Sequence, residues 1–294
     1  MKELEILELK RKKCPYFVYG GITGAIVSFL LLFLASSSEI PVLPIICIVL
    51  LMTSVILIVY GNFQFKKVER EFKDIYMQKI VNEIIPGAKY QENRGISLND
   101  VYRSKLLKEA DRSRSEDLIT GTINGVNFKT SDLQLLERRE HVDSKGHRTV
   151  TYVPYFTGRF FIFDFNKNFK GDLVVTEASF AKPYGMKKIS MESEEFNKKF
   201  KTYAQDDLSA FYVLTPHLMV ALLELEKDNP GCIMISMNSN IMYMAINNNR
   251  DTFSLKMNQK IDSSLIDLFE RDIKVINNIV DEMNLNNKIF KEEY

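Results

Sequence analysis

The sequence predicts a membrane-anchored α+β protein: an N-terminal two-helix transmembrane hairpin followed by a cytoplasmic domain with antiparallel strands and amphipathic helices. Three observations carry this. Two uncharged apolar stretches, Tyr16–Ala35 and Ile40–Phe65, are separated only by Ser36–Glu39. Between Leu118 and Thr176, runs rich in β-branched and aromatic residues alternate with turn pairs, which reads as an antiparallel meander. In Asp262–Met283, apolar residues recur at helical spacing. The expected divisions are a basic cytoplasmic N-terminus (1–15), the hairpin (16–65), a juxtamembrane helix (66–87), the α+β domain (88–285) and a tail (286–294).

Roughly 20 helical residues, rising about 1.5 Å each, cross a hydrocarbon core about 30 Å thick, so each stretch is long enough to span. A connector this short makes the two helices antiparallel. Lys10, Arg11, Lys12 and Lys13 precede the first stretch, Lys66, Lys67 and Arg70 follow the second, and the connector has no positive residue. Lys and Arg favour the cytoplasmic side, so both termini are expected there, in a multi-pass protein of the inner (plasma) membrane. A cleaved signal peptide is the rival reading, since Lys10–Lys13, an apolar run and Ala35–Ser38 imitate its regions. Signal cores usually run about 7–15 residues, shorter than this stretch, and the second span would remain. Gly20, Gly24 and Ser28, with Gly21 and Ala25, recur every fourth residue. Such a stripe lets backbones approach closely, and the chain's own second span is the expected neighbour, ahead of another chain. Tyr16, Tyr19 and Tyr60 supply the interfacial aromatic belt in a chain without Trp.

Lys and Arg number 39 against 38 Asp and Glu, which excludes the basic excess of a dedicated nucleic-acid surface. Cys14, Cys47 and Cys232 form neither a CxxC pair nor a disulfide framework, as suits a reducing compartment.

After the second span, Val68, Phe72, Ile75, Ile80 and Ile84 continue a helical face until Pro86-Gly87 stops it. Ser97-Leu98-Asn99-Asp100 resembles a capping box opening a short helix through Leu107, and Arg112–Ser115 reads as a loop. Asn124-Gly125 between Ile123 and Val126 is a hairpin turn. His141–His147 makes a polar turn around Lys145-Gly146, and Asn166–Gly171 makes another. Thr215-Pro216 supplies an N-cap and a proline at the first helical position, and Asn229-Pro230-Gly231 ends that helix. Cys232–Met237 and Ile241–Ile246 then bracket a second hairpin, giving two β regions in all.

Phosphate-loop, zinc-protease, calcium-loop and nucleophile-elbow spacings are absent from the sequence. His141, Asp143 and His147 offer too few convergent ligands for a metal and read as a solvated turn. His217 reads as a packing or capping residue in the first turn of the Thr215 helix. Asp206-Asp207 marks a turn or helix start, and Glu192, Glu194 and Glu195 the acidic opening of a short helix. Cys232 starts a buried strand with no cation to activate it, and Met234, Met237, Met242 and Met244 read as core ahead of a plastic binding surface. Phe196, Phe200, Tyr212 and Leu214 are also expected in the core. No catalytic residue is assigned, and no cofactor or metal is expected.

Met191–Phe200, Tyr203 and Ala210–Met219, with Glu116–Gly121 and Phe156–Phe161 upstream, are similar to the domain of unknown function 3137 family. Members of that family often carry an N-terminal pair of spans, and the resemblance implies a bacterial membrane protein. It brings no catalytic or cofactor-binding residues with it.

The function expected is that of a membrane-anchored cytoplasmic interaction or scaffold protein. Its partners would be the lipid bilayer and a protein partner or a second copy of the chain, without nucleic acid. The alternative is an enzyme or small-ligand sensor whose site gathers distant residues such as Glu192, Asp206, Asp207 and His217 around one cleft.

Overall fold

The computed structural model describes residues 2–35, 42–164, 171–177, 183, 185–283 and 285. The connector Ser36–Glu39, most of the turn Asn166–Gly171 and the tail 286–294 lie outside them. The chain divides into two compact units, Met1–Lys79 with Ser254–Phe269, and Ile80–Phe253 with Glu270–Tyr294.

The first unit is built on α1 (Lys2–Ala35) and α2 (Leu43–Phe72). Both are long and apolar enough to cross a membrane, and only 11% of the most apolar stretch of each is buried. Helix α1 begins well before Tyr16 and takes in the basic N-terminal segment. Burial on α1 falls on Leu7, Cys14, Gly21 and Ser28, and on α2 at Cys47, Ser54, Gly61 and Val68. Each set steps by seven residues, the spacing that keeps one seam turned toward a neighbouring helix. The small residues let the two backbones close in. A Cβ on Gly21 would lie 2.6 Å from the Ser54 carbonyl oxygen, and one on Gly61 2.7 Å from Val18 Cγ2. The stripe therefore packs within the chain, as expected, although Gly20 has nothing within 4 Å.

Near the N-terminus of α1 the buried Glu8 and Arg11 pair at 2.8 Å, a bond that holds the Glu8 carboxyl below its usual range. Glu8 also accepts from the Ile261 amide at 2.9 Å, Arg11 donates to the Met257 carbonyl, and Glu69 accepts from the Leu255 amide at 2.9 Å. Three helical side chains thus hold the 254–261 segment. After α2 the helix widens into a π turn at Lys73–Met77 and continues as α3 (Gln78–Ile84), stopping before Pro86-Gly87 as expected. The π turn inserts one residue into the stripe. Met77, Val81 and Ile85 are consequently buried, whereas Ile75 and Ile84 are half-buried.

The second unit is a nine-stranded antiparallel sheet with the order β1-β2-β3-β4-β9-β8-β5-β7-β6. The strands are β1 (Lys89–Gln91), β2 (Arg112–Ile123), β3 (Val126–Val142), β4 (Arg148–Asp164), β5 (Asp172–Thr176), β6 (Lys187–Ile189), β7 (Lys201–Ala204), β8 (Cys232–Asn238) and β9 (Ile241–Asn247). Two sequence expectations are corrected here. Arg112–Ser115 is strand, paired with Leu133–Leu136, because the long β3 offers its backbone a ladder that local polarity does not reveal. The two β regions are also one sheet, joined where Gly158–Asp164 pairs with Ile241–Asn247. The β2–β3 turn is the Asn124-Gly125 pair, with φ of 50° and 83°, as a type I′ hairpin requires.

The capping box holds: Ser97 accepts from the Asp100 amide at 3.2 Å and opens α4 (Leu98–Arg103), which ends four residues before the expected Leu107. Ser193 likewise caps α5 (Glu194–Lys199), on which Phe196 stacks against Phe200 at 5.1 Å. Thr215 caps α7 (Pro216–Asp228), accepting from the Leu218 amide at 3.3 Å. Helix α8 (Ser263–Glu282) belongs to the first unit through Phe269 and to the second beyond it, and buries the expected Leu265, Phe269, Ile273, Ile276 and Val280.

Phe196, Phe200 and Leu214 are core residues as expected, and so are the four methionines of β8 and β9. Tyr212 is not. It is 51% exposed, because α6 (Asp207–Val213) turns Ala210 and Val213 inward and leaves Leu208, Phe211 and Tyr212 on the opposite side.

Candidate functional site

The polar residues nominated from sequence do not converge. Glu192, Asp206, Asp207 and His217 are all exposed, and Asp207 meets Lys187 at 3.0 Å. Asp143 closes the β3–β4 turn by accepting from the Lys145 and His147 amides, and its second oxygen lies 3.0 Å from His147 Nδ1. His141 is spent on the exposed ladder opposite Thr149. Cys232 is half-buried, and desolvation, reinforced by the Glu177 charge, pushes its thiol up to about 11, so it is an inert thiol.

Polar groups do converge at a place the sequence left unread. Asp132 on β3 and Arg159 on β4 face each other across the ladder, each 4% exposed. Asp132 Oδ2 accepts from the Thr252 amide at 2.8 Å and the Phe253 amide at 3.3 Å, fastening the loop that follows β9. Arg159 Nε donates to Thr130 Oγ1 at 2.9 Å, and its guanidinium lies 4.3 Å from the Phe253 ring centre. Asp132 Oδ1 stands 3.5 Å from Arg159 Nη1, and neither atom has a hydrogen-bond partner. Burial is the main cause that pushes the Asp132 carboxyl up to about 7. The Arg159 charge opposes the rise, and the Asp117 and Asp251 charges add to it.

Asp117 comes from a bulge in β2 between Glu116 and Ile119, where its φ of 56° turns a fully buried carboxylate away from the strand pattern. It accepts from the Tyr90 hydroxyl, whose ionisation is pushed far up by burial and by the Asp117 charge. Carboxylate oxygens of Glu116, Asp117 and Asp251 lie within 4.8 Å of one another. Among the described residues this is the one group of three or more His, Cys, Asp or Glu whose side-chain ligand atoms come that close together. Beside it a cleft of about 30 Å³ is bordered by Arg114, Glu116, Asp132, Gly158, Arg250 and Asp251. Arg114 pairs with Glu116 at 2.8 Å and Arg250 with Asp272 at 3.2 Å. The available sequence signal was a charge of each sign inside two strands otherwise facing the core. Nothing local disclosed that the two charges meet.

A second, larger cleft of about 490 Å³ is apolar, with Leu106, Leu107, Phe156 and Met234 in its wall and Lys105 and Lys108 beside them. Both lysines are engaged, Lys105 with Asp172 and Lys108 with Glu137.

The strands, caps and helices from β4 to α8 are also where a family model matches. Residues 154–285 match the family described as "Protein of unknown function (DUF3137)". The chain resembles DUF3137 proteins over that region. The DUF3137-like region includes Phe156–Phe161, Met191–Phe200 and Ala210–Met219, whereas Glu116–Gly121 lies upstream of it. No curated protein matches the chain. Among solved structures, the mycobacterial trehalose monomycolate transport factor A aligns with a TM-score of 0.37 and 7% identity, over 70% of this chain and 95% of that one. Similarity at that level carries no argument about fold or function.

Proposed function

We propose that this chain is a membrane-anchored interaction or scaffold protein, held as a multi-pass protein by α1 and α2 with both termini on the cytoplasmic side. The observation that supports it is the outward face of these helices, which are 34 and 30 residues long. Phe29, Phe33 and Ile56 are 67%, 77% and 64% exposed, part of an apolar surface that water does not tolerate. Lys10–Lys13 before the first apolar stretch, with Lys66, Lys67 and Arg70 after the second, support the orientation. In the DUF3137-like region, Leu208, Phe211 and Tyr212 stand outward at helical spacing, which supports an interaction role. The expected result is that the full chain stays in the membrane pellet through alkaline carbonate extraction. A photocrosslinker at Phe211 should also give protein adducts that one at the exposed Thr151 does not. Release by carbonate would defeat the anchor, and an unreactive position 211 would defeat the interaction role.

The small-ligand reading keeps one supporting observation, the apolar cleft beside Leu106 and Phe156. Glu192, Asp206, Asp207 and His217 are not among its lining residues.

A further inference from the structure

We propose that the groove between α1 and α2, where their basic flanks meet the apolar stretches, binds the headgroup phosphate of an anionic phospholipid. The inference rests on the membrane-anchored reading above and adds to it a specific lipid site.

Helical spacing builds the groove from two stripes. Lys10, Lys13 and Phe17 fall three or four residues apart on α1, and Tyr60, Gln64, Lys67 and Glu71 do so on α2, so each set lines one helix face. Together they border a cleft of about 270 Å³, near the lower end of small-molecule pockets. The antiparallel helices bring like chemistry to the same level. Lys10 pairs with Glu71 at one end, and Phe17 meets Tyr60 edge to face at 5.2 Å at the other. Lys13, Gln64 and Lys67 lie between. Over the seven residues from Lys10 to Phe17, about 10 Å along the axis, the groove passes from an ion pair, through two ammonium groups, to an aromatic pair. Phe17 and Tyr60 belong to the apolar stretches, whereas Lys13 and Lys67 stand just outside them. A phospholipid has the same order, with its phosphate at the polar boundary and its acyl chains below, and basic pockets between spanning helices hold such headgroups.

The charges select an anion. Lys13 and Lys67 make no hydrogen bond or ion pair among the described residues, so both ammonium groups are available to phosphate oxygens. Glu71, the one acid lining the cleft, is answered by Lys10, which leaves two positive charges in excess. A choline headgroup would add a further cation to that excess, so an anionic phospholipid is favoured over a zwitterionic one.

The test titrates the full chain, in neutral detergent, with phosphatidylglycerol and separately with phosphatidylcholine of the same acyl chains, and reads bound lipid by native mass spectrometry. One phosphatidylglycerol per chain is expected, held about tenfold or more tightly than phosphatidylcholine. Lys13→Gln and Lys67→Gln change exposed side chains and should each weaken it by about fivefold, with an unchanged circular dichroism spectrum. Lys66→Gln, a neighbouring exposed lysine outside the lining, should leave binding unchanged. Glu71→Gln frees Lys10 and should strengthen binding, a gain that misfolding does not imitate. Inorganic phosphate in large excess should not displace the lipid. Equal binding of the two lipids would overturn the proposal. Lys66→Gln as damaging as Lys67→Gln would also overturn it by showing diffuse surface charge, and displacement by inorganic phosphate would do so by assigning the groove to a soluble anion. Release of the wild-type chain by carbonate defeats the anchor itself. A chain that stays in the pellet yet shows no preference for phosphatidylglycerol refutes the lipid site alone.

Discussion

Adding one methyl group at Gly158 should break the seam that makes the sheet continuous. Gly158 pairs with Asn247 where β4 meets β9, the junction between the β1–β4 half and the β5–β9 half. A Cβ there would lie 2.0 Å from the Ile246 carbonyl oxygen, 3.1 Å from its carbonyl carbon and 3.2 Å from Asn247 Cα. All three are backbone atoms, so no side chain can swing aside. A carbon–oxygen contact normally settles at about 3.3 Å or more, and the strands must separate by more than an ångström to admit it. Overpacking of this kind costs about 1–3 kcal/mol, and a ladder hydrogen bond stretched out of range adds about 1. Gly158→Ala should therefore lose roughly 2–4 kcal/mol from a domain stability of about 5–15. Urea unfolding of the full chain in detergent, followed by far-ultraviolet circular dichroism because the chain has no Trp, measures it. Hydrogen exchange should show faster exchange at the β9 amides. Thr151→Ala, on the exposed outer part of the same strand, should stay within about 0.5 kcal/mol of wild type. A Gly158→Ala protein that does the same, with β9 exchange unchanged, would refute the reasoning.

Phe200→Ala should cost about 3–5 kcal/mol, since the ring is 2% exposed and stacks on Phe196 at 5.1 Å. Asp207→Ala removes only an exposed pair with Lys187 and should cost no more than about 1 kcal/mol, so equal losses in the two melting curves would contradict the core assignment. Cys232, with its thiol raised to about 11, holds roughly a hundredfold less thiolate than an unperturbed cysteine at pH 8. Peptide-resolved mass spectrometry should find its alkylation by iodoacetamide slower in that proportion, and a rate like that of a free thiol would be the wrong result.

What could be read from the sequence was what neighbouring residues decide among themselves. Asn124-Gly125 fixes a hairpin because the two residues tolerate positive φ, and Ser97, Ser193 and Thr215 fix helix starts because each side chain reaches an amide three residues on. The seven-residue seam of α1 and α2 was hidden because Cys14, Gly21, Ser54 and Gly61 sit in apolar stretches without polar contrast. The π turn at Lys73–Met77 left no local mark, yet it moved the buried positions by one residue. Tyr212 departs from expectation because its aromatic neighbours suggest a buried run, while α6 turns that side outward. The Asp132–Arg159 cluster depends on the β3–β4 register, on a bulge at Asp117 and on a loop beyond residue 247. No spacing rule connects those three.

The central claim, that α1 and α2 anchor the chain with its termini inside, is tested most directly by protease accessibility in sealed vesicles of both orientations. In right-side-out vesicles the account predicts that the region from Lys66 onward survives intact, and that the same protease degrades it in inverted vesicles. Degradation in sealed right-side-out vesicles, with protection in inverted ones, would contradict it.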